Sequence, residues 1–260
     1  MTLTQGIMKS AIVTRTVREG INYVSIYLKP LKYKVSKPRP GQFIMLWVPS
    51  YEEIPMSISG FYGDELRITV KARGATTRYL VSSVKPGMFL GFKGPLGRGI
   101  EDIEKFQNCK VALIAGGIGI APLAYLASEI HNIAHIYLIY GAKTASELVL
   151  LKEFKTLCKD IYISTDDGSM GFKGTVTKLS LKLLPSIKPD AIVVAGPKDV
   201  LKEIALYSYK LGIDGWILGE SIFKCGIGAC GSCTIGKYIL CRDGPALTIK
   251  EFVEALETGV

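Results

Sequence analysis

Histidine is scarce in this sequence: its 260 residues include only His131 and His135. These two are four positions apart but straddle a predicted helix end and the following strand, so they need not share a face, and ordinary structural roles are expected for both. No carboxylate pair, Ser-His-Asp order or open metal site is apparent elsewhere. The sequence therefore lacks the groups that would transform an organic substrate without a cofactor or partner.

Acidic residues are also few, with 23 Asp and Glu against 32 Lys and Arg, which gives a net charge of +9. Such an excess suits a nucleic acid or an acidic protein partner, and charge alone does not choose between them. The basic run from Lys29 to Arg39 is broken by prolines and carries no interleaved aromatic reading module. We expect a solvated loop there and no nucleic-acid partner.

No long apolar run with membrane character is present. Residues 1–13 contain Lys9 and no apolar run ending at a small-residue cleavage site, so a secretory signal is not expected. The longest uncharged stretch, residues 111–128, reaches the length of a membrane span. Glycines and Pro122 interrupt it where a strand would turn into a helix, so we expect a soluble, cytoplasmic protein with no membrane partner.

The cysteines are unevenly distributed. Four of the six crowd into the segment from Cys225 to Cys241, whereas Cys109 and Cys158 stand alone. Isolated thiols are usually packed and inert, so no role is expected for the latter two. The asymmetry indicates a metal site in a reducing compartment rather than three disulfides.

Hydrophobic periodicity divides the chain into two parts. Residues 7–94 contain short strand-like segments separated by Gly and Pro, which is typical of an antiparallel barrel. After residue 97, strands alternate with helices, which predicts a parallel sheet covered by helices. The predicted barrel strands are residues 10–17, 21–28, 42–48, 55–60, 66–71 and 88–94, with one helix at 76–84; the later elements are 110–115, 121–130, 135–140, 147–158, 161–164, 176–184, 191–195 and 198–211, followed by a hairpin turning at 236–237.

The strongest chemical signal is the pattern C-x4-C-x2-C-x7-C, formed by Cys225, Cys230, Cys233 and Cys241. The spacings of the first three cysteines match the plant-type [2Fe-2S] pattern, and the glycines between them allow the backbone to bend around a cluster. A structural zinc is the alternative, but it typically uses two C-x2-C knuckles and only one is present. Visible colour would distinguish the two.

A glycine turn follows the predicted strand at 110–115. Gly116, Gly117, Gly119 and Pro122 open the next helix, whose amides and dipole suit a phosphate. Pro122 replaces the final glycine of G-x-G-x-x-G, and no acidic residue ends the next strand, so a standard Rossmann site is disfavoured. A tight turn required only for packing stays open as an alternative.

The order of these motifs is similar to that of one protein family. The chain carries P-x-S at Pro55, G-P-L-G from Gly94, G-G-x-G-x-A-P from Gly116, D-D-G-S from Asp166, A-G-P from Ala195, and then the cysteine segment with C-R-D-G-P. It resembles the ferredoxin-reductase-like flavoproteins over nearly its whole length. More closely, it resembles the iron-sulfur flavoprotein electron-transfer subunits of NAD-linked dihydroorotate dehydrogenases.

The resemblance implies three domains: an FAD-binding barrel at residues 1–98, an NAD-binding α/β domain at 99–215 and a [2Fe-2S] domain at 216–260. It also implies that electrons pass from the FMN of a catalytic partner through the cluster to FAD and on to NAD, in pyrimidine biosynthesis. By similarity, the FAD contacts are Pro55, Met56, Ser57, Thr69, Val70, Lys71, Gly74, Thr76 and Thr77, the nucleotide site is bordered by Gly116, Gly117, Gly119 and Pro122, and the cluster ligands are the four cysteines above.

Three departures from the family pattern stand out. Ile54 occupies the position of an arginine that would bind the FAD pyrophosphate, so Lys71, Arg73 or Arg78 is expected to substitute, or FAD to be held less tightly. Ala195 stands where many relatives have cysteine near the nicotinamide. The interval from Cys233 to Cys241 is shorter than usual, which indicates a trimmed hairpin.

The same resemblance predicts a partner subunit and an electron acceptor for this chain. Asp166 and Asp167 would repel a 2′-phosphate, which favours NAD over NADP, although a solvated acidic turn is an equal alternative. The expected complex contains two copies of this chain and two of an FMN-containing dihydroorotate dehydrogenase subunit. The alternatives are a subunit of an NAD(P)H-ferredoxin or sulfide oxidoreductase, and a non-redox binding protein stabilised by zinc.

Overall fold

The structure is a computed structural model that describes residues 6–258. Its elements form a closed barrel, a large sheet with helices on both faces and a small hairpin. The strands are β1 (Lys9–Gly20), β2 (Tyr23–Pro30), β3 (Phe43–Trp47), β4 (Glu53–Tyr62), β5 (Glu65–Lys71), β6 (Phe89–Leu96), β7 (Lys110–Gly116), β8 (His135–Ala142), β9 (Asp160–Thr165), β10 (Phe172–Lys173), β11 (Ala191–Ala195), β12 (Asp214–Leu218), β13 (Thr234–Ile235), β14 (Tyr238–Ile239) and β15 (Ala246–Thr248). The α-helices are α1 (Ala75–Ser83), α2 (Ile120–Ile130), α3 (Leu151–Leu157), α4 (Val176–Ile187), α5 (Lys198–Lys210), α6 (Leu240–Asp243) and α7 (Ile249–Thr258).

The barrel has the strand order β1-β2-β5-β4-β3-β6 and is antiparallel throughout. Alternate residues of β5, Leu66, Ile68 and Val70, are buried in its interior, as the two-residue period of a strand requires. The residues between them, Arg67 and Thr69, point outward and are nevertheless buried, because this face packs against α3 and the turn before it. All six predicted barrel strands are confirmed.

The second sheet has the order β10-β9-β8-β7-β11-β12-β15, and all of its pairs are parallel except β12 with β15. The central strand β7 is apolar and buried on both faces, as expected for a parallel strand between layers of helices. From β7 the chain adds β8 and then β9 on one side of the sheet, whereas β11 and β12 are added on the other side. The switch point, where open α/β sheets bind ligands, therefore lies between the ends of β7 and β11.

One predicted helix is shorter than expected. The sequence pattern predicts a helix over residues 147–158, but α3 begins only at Leu151 and is preceded by a 3-10 turn at Ala145–Glu147. The Glu147 carboxylate accepts a hydrogen bond from Lys71 Nζ at 2.9 Å and one from the Tyr23 hydroxyl at 3.4 Å. These contacts hold the segment against the barrel, and Leu150 turns into α3 with φ +60°.

The cysteine segment leaves the second sheet and returns to it. It follows β12 and precedes β15, and both strands belong to the sheet. Arg98, in the link between barrel and sheet, donates to the Gly244 carbonyl from its backbone N–H and to the Ala246 carbonyl from Nη2 at 3.0 Å. Its guanidinium also binds the Glu251 carboxylate of α7. The domain boundaries at residues 98 and 215 remain predictions, since β12 spans the second of them.

A buried ion pair joins the barrel to the second sheet. Arg67 is 4% exposed and donates from Nη1 and Nη2 to the two carboxylate oxygens of Glu153 on α3, at 2.8 and 3.0 Å. Its Nε donates to Ser59 Oγ at 3.2 Å. Burial alone would lower the pKa of Arg67, but the hydrogen bonds and charge of Glu153 outweigh it, so the pKa lies above its ordinary value. A two-pronged pair of this kind fixes both distance and orientation.

Within residues 6–258, the structure contains no helix long and apolar enough to cross a membrane.

We expect Glu153→Ala to destabilise the protein by about 2–4 kcal/mol, because it leaves the Arg67 charge buried without its partner. For a protein of this size, that corresponds to a fall in melting temperature of roughly 5–15 °C in a thermal unfolding measurement. The matched control is Glu101→Ala, which removes the partner of Arg39 from an ion pair whose side chains are 56% and 61% exposed. That change is expected to cost less than about 1 kcal/mol. Equal effects of the two variants would contradict the conclusion that the Arg67–Glu153 ion pair stabilises the contact between the barrel and α3.

Candidate functional site

A cleft of about 260 Å³ lies between the barrel and the second sheet, at the switch point. The barrel contributes the ends of β4 and β5, and the sheet contributes the turns after β7, β11 and β12. The lining residues are Gly41, Phe43, Pro55, Met56, Ser57, Thr69, Val70, Lys71, Arg73, Thr77, Gly116, Ile118, Gly119, Ala121, Pro122, Ala195, Gly196, Pro197, Leu218, Gly219, Glu220, Ser221, Phe223 and Pro245.

Most residues singled out from the sequence meet in this cleft, although they come from both sheets. Of the residues predicted to contact FAD or the nucleotide, three do not line it: Gly74, Thr76 and Gly117. Gly74 precedes α1, and its N–H donates to Thr77 Oγ1 at 3.0 Å, while Thr76 Oγ1 donates to Glu52 Oε1 at 2.8 Å. The ligand contacts of all these residues remain predictions.

The glycine turn after β7 is required for close packing. A Cβ atom on Gly119 would lie 2.2 Å from the Ala195 carbonyl oxygen, and one on Gly116 would lie 2.8 Å from Pro197 Cδ. Gly117 has φ +54°, a conformation that favours glycine. The turn thus brings the start of α2 against the end of β11, and residues of both elements line the cleft. The packing and phosphate interpretations of this turn are therefore compatible.

Ile54 and the basic residues near it occupy distinct places. Ile54 lies in β4 opposite Leu46 and packs on the barrel interior. Lys71 and Arg73 line the cleft; Lys71 is bound to Glu147, and Arg73 Nη1 lies 3.7 Å from Glu220 Oε1. Arg78 instead donates to the Arg73 carbonyl and does not line the cleft. Of the three expected substitutes for the missing arginine, two are positioned to meet an anionic ligand.

Sequence reasoning missed the residues that follow β12. Glu220, Ser221 and Phe223 line the cleft, and the rings of Phe223 and Phe43 are 4.8 Å apart between centroids. No local motif marks these positions. The one feature of the sequence that points to them is their position just before Cys225, the first cysteine of the predicted cluster site.

The cysteine loop begins two residues beyond the cleft. Gly226, with φ +72°, packs so closely on the barrel that a Cβ there would lie 2.5 Å from Met45 Cγ. Cys233 and Cys241 are buried, Cys225 is half-buried and Cys230 is exposed. The predicted hairpin is confirmed as β13 and β14, and its turn brings Cys233 back beside Cys241.

Backbone amides point at the sulfur atoms of this loop. The N–H of Gly228 donates to Cys241 Sγ at 3.0 Å, that of Cys241 to Cys233 Sγ at 3.4 Å and that of Ile227 to Cys225 Sγ at 3.5 Å. Cys230 Sγ lies 2.9 Å from Ser232 Oγ. As they stand, no three His, Cys, Asp or Glu side chains among residues 6–258 are grouped closely enough to hold a metal ion. The donor set, four thiols with amides aimed at three of them, is the one that iron-sulfur clusters use.

The thiols differ in acidity according to their surroundings. Hydrogen bonds with the Ser232 side chain and backbone lower the pKa of Cys230 to about 6. Burial opposes ionisation of Cys225, but amides of the loop outweigh it and its pKa is lowered. Burial raises the pKa of Cys241 to about 12. Cys158, in the core beside the second sheet, likewise has its pKa raised to about 12 by burial, which agrees with an inert packed thiol.

The fold and this site are those of a ferredoxin-reductase-like oxidoreductase with an added cysteine loop. Among solved structures, an NADH-dependent reduced ferredoxin-NADP oxidoreductase studied for flavin-based electron bifurcation is 27% identical, with a TM-score of 0.80 over 95% of this chain and 92% of that one. The flavohem-like FAD/NAD binding domain of the Vibrio cholerae nitric oxide dioxygenase shares the fold, with 23% identity and a TM-score of 0.70 over 82% of this chain and 99% of that one.

One family model matches part of the second sheet and its helices, and another matches the cysteine loop. Residues 113–205 match "Oxidoreductase NAD-binding domain", and residues 220–253 match "Iron-sulfur cluster binding domain of dihydroorotate dehydrogenase B". A probable dihydroorotate dehydrogenase B (NAD+) electron transfer subunit of Pyrococcus furiosus is 38% identical over 82% of this chain and 81% of its own length. Its counterpart in Thermococcus kodakarensis is 39% identical over 84% and 88%.

The chain belongs to the family of dihydroorotate dehydrogenase B electron transfer subunits, and it is a subunit of an oxidoreductase. The expected barrel and parallel sheet, and the expectation of an iron-sulfur cluster, FAD and NAD as cofactors, are confirmed at the level of these domains. The zinc-stabilised binding protein has no support among these matches.

We expect Gly119→Ala to weaken NADH binding by at least about tenfold and to destabilise the protein by about 1–3 kcal/mol, because its methyl group would overlap the Ala195 carbonyl. Nucleotide titration and thermal unfolding of the same preparation measure both effects. Gly20→Ala is the matched control, since a Cβ there would meet its neighbours at an ordinary 3.5 Å. Unchanged binding and stability in Gly119→Ala would show that the turn is not closely packed.

Proposed function

We propose that this chain transfers electrons one at a time between a [2Fe-2S] cluster on its cysteine loop and FAD in the cleft, and exchanges hydride with NAD from the same cleft. The proposal rests on how few residues separate the cleft from the first cysteine. Phe223 lines the cleft, and Cys225, the first cysteine, is only two residues further along the chain. A carrier in the cleft and a cluster on the loop are therefore neighbours in one rigid frame.

The proposed cluster ligands are Cys225, Cys230, Cys233 and Cys241. Their graded burial suits an electron carrier, because the buried pair faces the protein and the exposed Cys230 faces outward. The amides directed at Cys225, Cys233 and Cys241 would offset the negative charge of a thiolate-bound cluster. When bound, the cluster supplies single-electron transfer.

The proposed FAD site uses the barrel side of the cleft. Pro55, Met56 and Ser57 would lie at the flavin ring, and Thr69, Val70, Lys71 and Thr77 along the rest of the cofactor, together with Gly74 and Thr76 at the start of α1. Lys71 and Arg73 supply the positive charge that Ile54 does not. When bound, FAD converts two single-electron steps into one hydride transfer.

The proposed NAD site uses the sheet side of the cleft, at Gly116, Gly117, Gly119 and Pro122. Asp167, at the end of β9, accepts hydrogen bonds from the Ser169 N–H at 2.9 Å and the Ser169 hydroxyl at 2.6 Å, and these lower its pKa. The carboxylate is thus ionised at neutral pH and would repel a 2′-phosphate. This supports NAD as the acceptor rather than NADP, as in the names of the relatives.

The proposed partner is the catalytic subunit of a dihydroorotate dehydrogenase that carries FMN, with two copies of each chain, in the cytoplasm and in pyrimidine biosynthesis. The names of the relatives as electron transfer subunits support a partner of this kind. A second candidate is the flavin and iron-sulfur subunit of an NAD(P)H-ferredoxin oxidoreductase, which is favoured by the structural match to such an enzyme over 95% of the chain.

The cluster assignment predicts the effect of single cysteine changes. Protein purified without oxygen is expected to contain about two irons per chain and to show iron-sulfur absorption superposed on a flavin spectrum. Cys225→Ser and Cys233→Ser are expected to lose most of the iron and that absorption, because each removes one of four ligands. Cys158→Ser is the matched control and is expected to keep both. Colourless, iron-free wild-type protein, or equal iron in all variants, would overturn the assignment.

The partner assignment predicts a defined complex. Coexpression with an FMN-containing dihydroorotate dehydrogenase subunit is expected to yield an assembly with two copies of each chain, measured by mass spectrometry of the intact complex. That complex is expected to reduce NAD with dihydroorotate, whereas this chain alone is not. Reduction of ferredoxin by NADPH without such a partner would favour the second candidate instead.

A further inference from the structure

A chain of buried hydroxyl groups runs from the cleft to a carboxylate at the edge of the barrel. Thr69 lines the cleft, and its Oγ1 lies 3.0 Å from Ser25 Oγ. Ser25 Oγ in turn donates to Glu19 Oε1 at 2.7 Å. Ser25 is fully buried and Thr69 is 5% exposed, whereas Glu19 is only partly buried. The three side chains therefore connect the cleft with a titratable group that solvent can reach.

The fold explains why these side chains meet. Ser25 in β2 and Thr69 in β5 are directly paired residues on the outer face of the barrel. This face packs against α3 and the turn before it, so the hydroxyls are removed from water and bond to one another. A hydroxyl both donates and accepts, and its hydrogen rotates, so a row of hydroxyls can pass a proton in either direction.

We propose that Glu19, Ser25 and Thr69 form the relay that supplies a proton to the flavin when electrons arrive singly from the cluster. The inference rests on the proposed function. Reduction by single electrons consumes a proton: FAD takes two electrons and one H⁺ to give FADH⁻, which then passes hydride to NAD⁺ and returns to FAD. Glu19 takes up a proton from solvent, and the hydroxyls rotate so that Ser25 now accepts from Glu19 and donates to Thr69. Ser25 then takes the proton of Glu19 and passes its own hydrogen to Thr69, and Thr69 passes its own from Oγ1 into the cleft.

Two other routes have less support in the structure. Glu220 is the only carboxylate among the residues that line the cleft, but it is 49% exposed and faces Arg73. Ser59 also contacts Thr69, at 2.9 Å, but it leads to Arg67, which holds its protons at every relevant pH. Ser59 is thus a buried hydroxyl beside the proposed relay that has no access to a titrating group.

The test compares two ways of reducing the same flavin in the FAD-loaded protein. Reduced methyl viologen delivers single electrons, so two viologen radicals and one proton from solvent are consumed per FADH⁻ formed. NADH delivers hydride, which carries its own hydrogen, so no proton from solvent is required. Stopped-flow absorbance measures both rates, in H₂O and in D₂O.

We expect Ser25→Ala and Glu19→Gln to slow reduction by methyl viologen by about tenfold and to change its solvent isotope effect, while reduction by NADH keeps the wild-type rate. Thr69→Val is expected to slow the viologen reaction similarly, and Thr69→Ser to restore it, because serine keeps the hydroxyl. Ser59→Ala is the matched control and is expected to behave as wild type in both reactions.

Two results would overturn the relay. Equal slowing of both reactions by Ser25→Ala would show that the hydroxyls only support the structure. Wild-type rates in Ser25→Ala and Glu19→Gln would show that the proton takes another path, and selective slowing in Glu220→Gln would identify it. Failure of the proposed function is distinguishable, because wild-type protein would then hold no flavin that either donor reduces.

Discussion

The bidentate contact between Arg67 and Glu153 sets the position of the barrel on the second sheet. Arg67 is buried, so a displaced barrel would leave its guanidinium without the compensating charge of Glu153. Lys71 and Tyr23 bind Glu147 on the same face and add a second point of attachment. These contacts join the two units on the face that leads to the cleft, which Lys71 also lines.

The cysteine loop depends on that frame at both ends. It departs from β12 and returns through β15, and Arg98 binds the returning strand and α7 to the link from the barrel. Gly226 packs directly on Met45 of the barrel, so the loop lies against both units. A redox centre on this loop would keep a constant distance to a cofactor in the cleft, which single-electron transfer requires.

The polar interface between barrel and sheet contains two kinds of groups. Arg67 and Lys71 form ion pairs with their carboxylate partners that hold the units together, whereas the hydroxyls of Ser25 and Thr69 are neutral and can reorient. Because the hydroxyls share the buried face with the ion pairs, their hydrogen bonds are sheltered from water. The same packing that stabilises the cleft thus isolates a path for protons.

The sequence alone established the barrel strands, the alternation that produces the parallel sheet, the cysteine loop and its hairpin, because each rests on local periodicity or on spacing of a few residues. It also identified the family. It could not show that α3 starts late, since Glu147 is held by Lys71 and Tyr23, which are distant in the chain. The cleft residues after β12, the Arg67 pair and the pairing of Ser25 with Thr69 were decided by tertiary structure, because burial and partners across 44 to 86 positions of chain leave no local pattern.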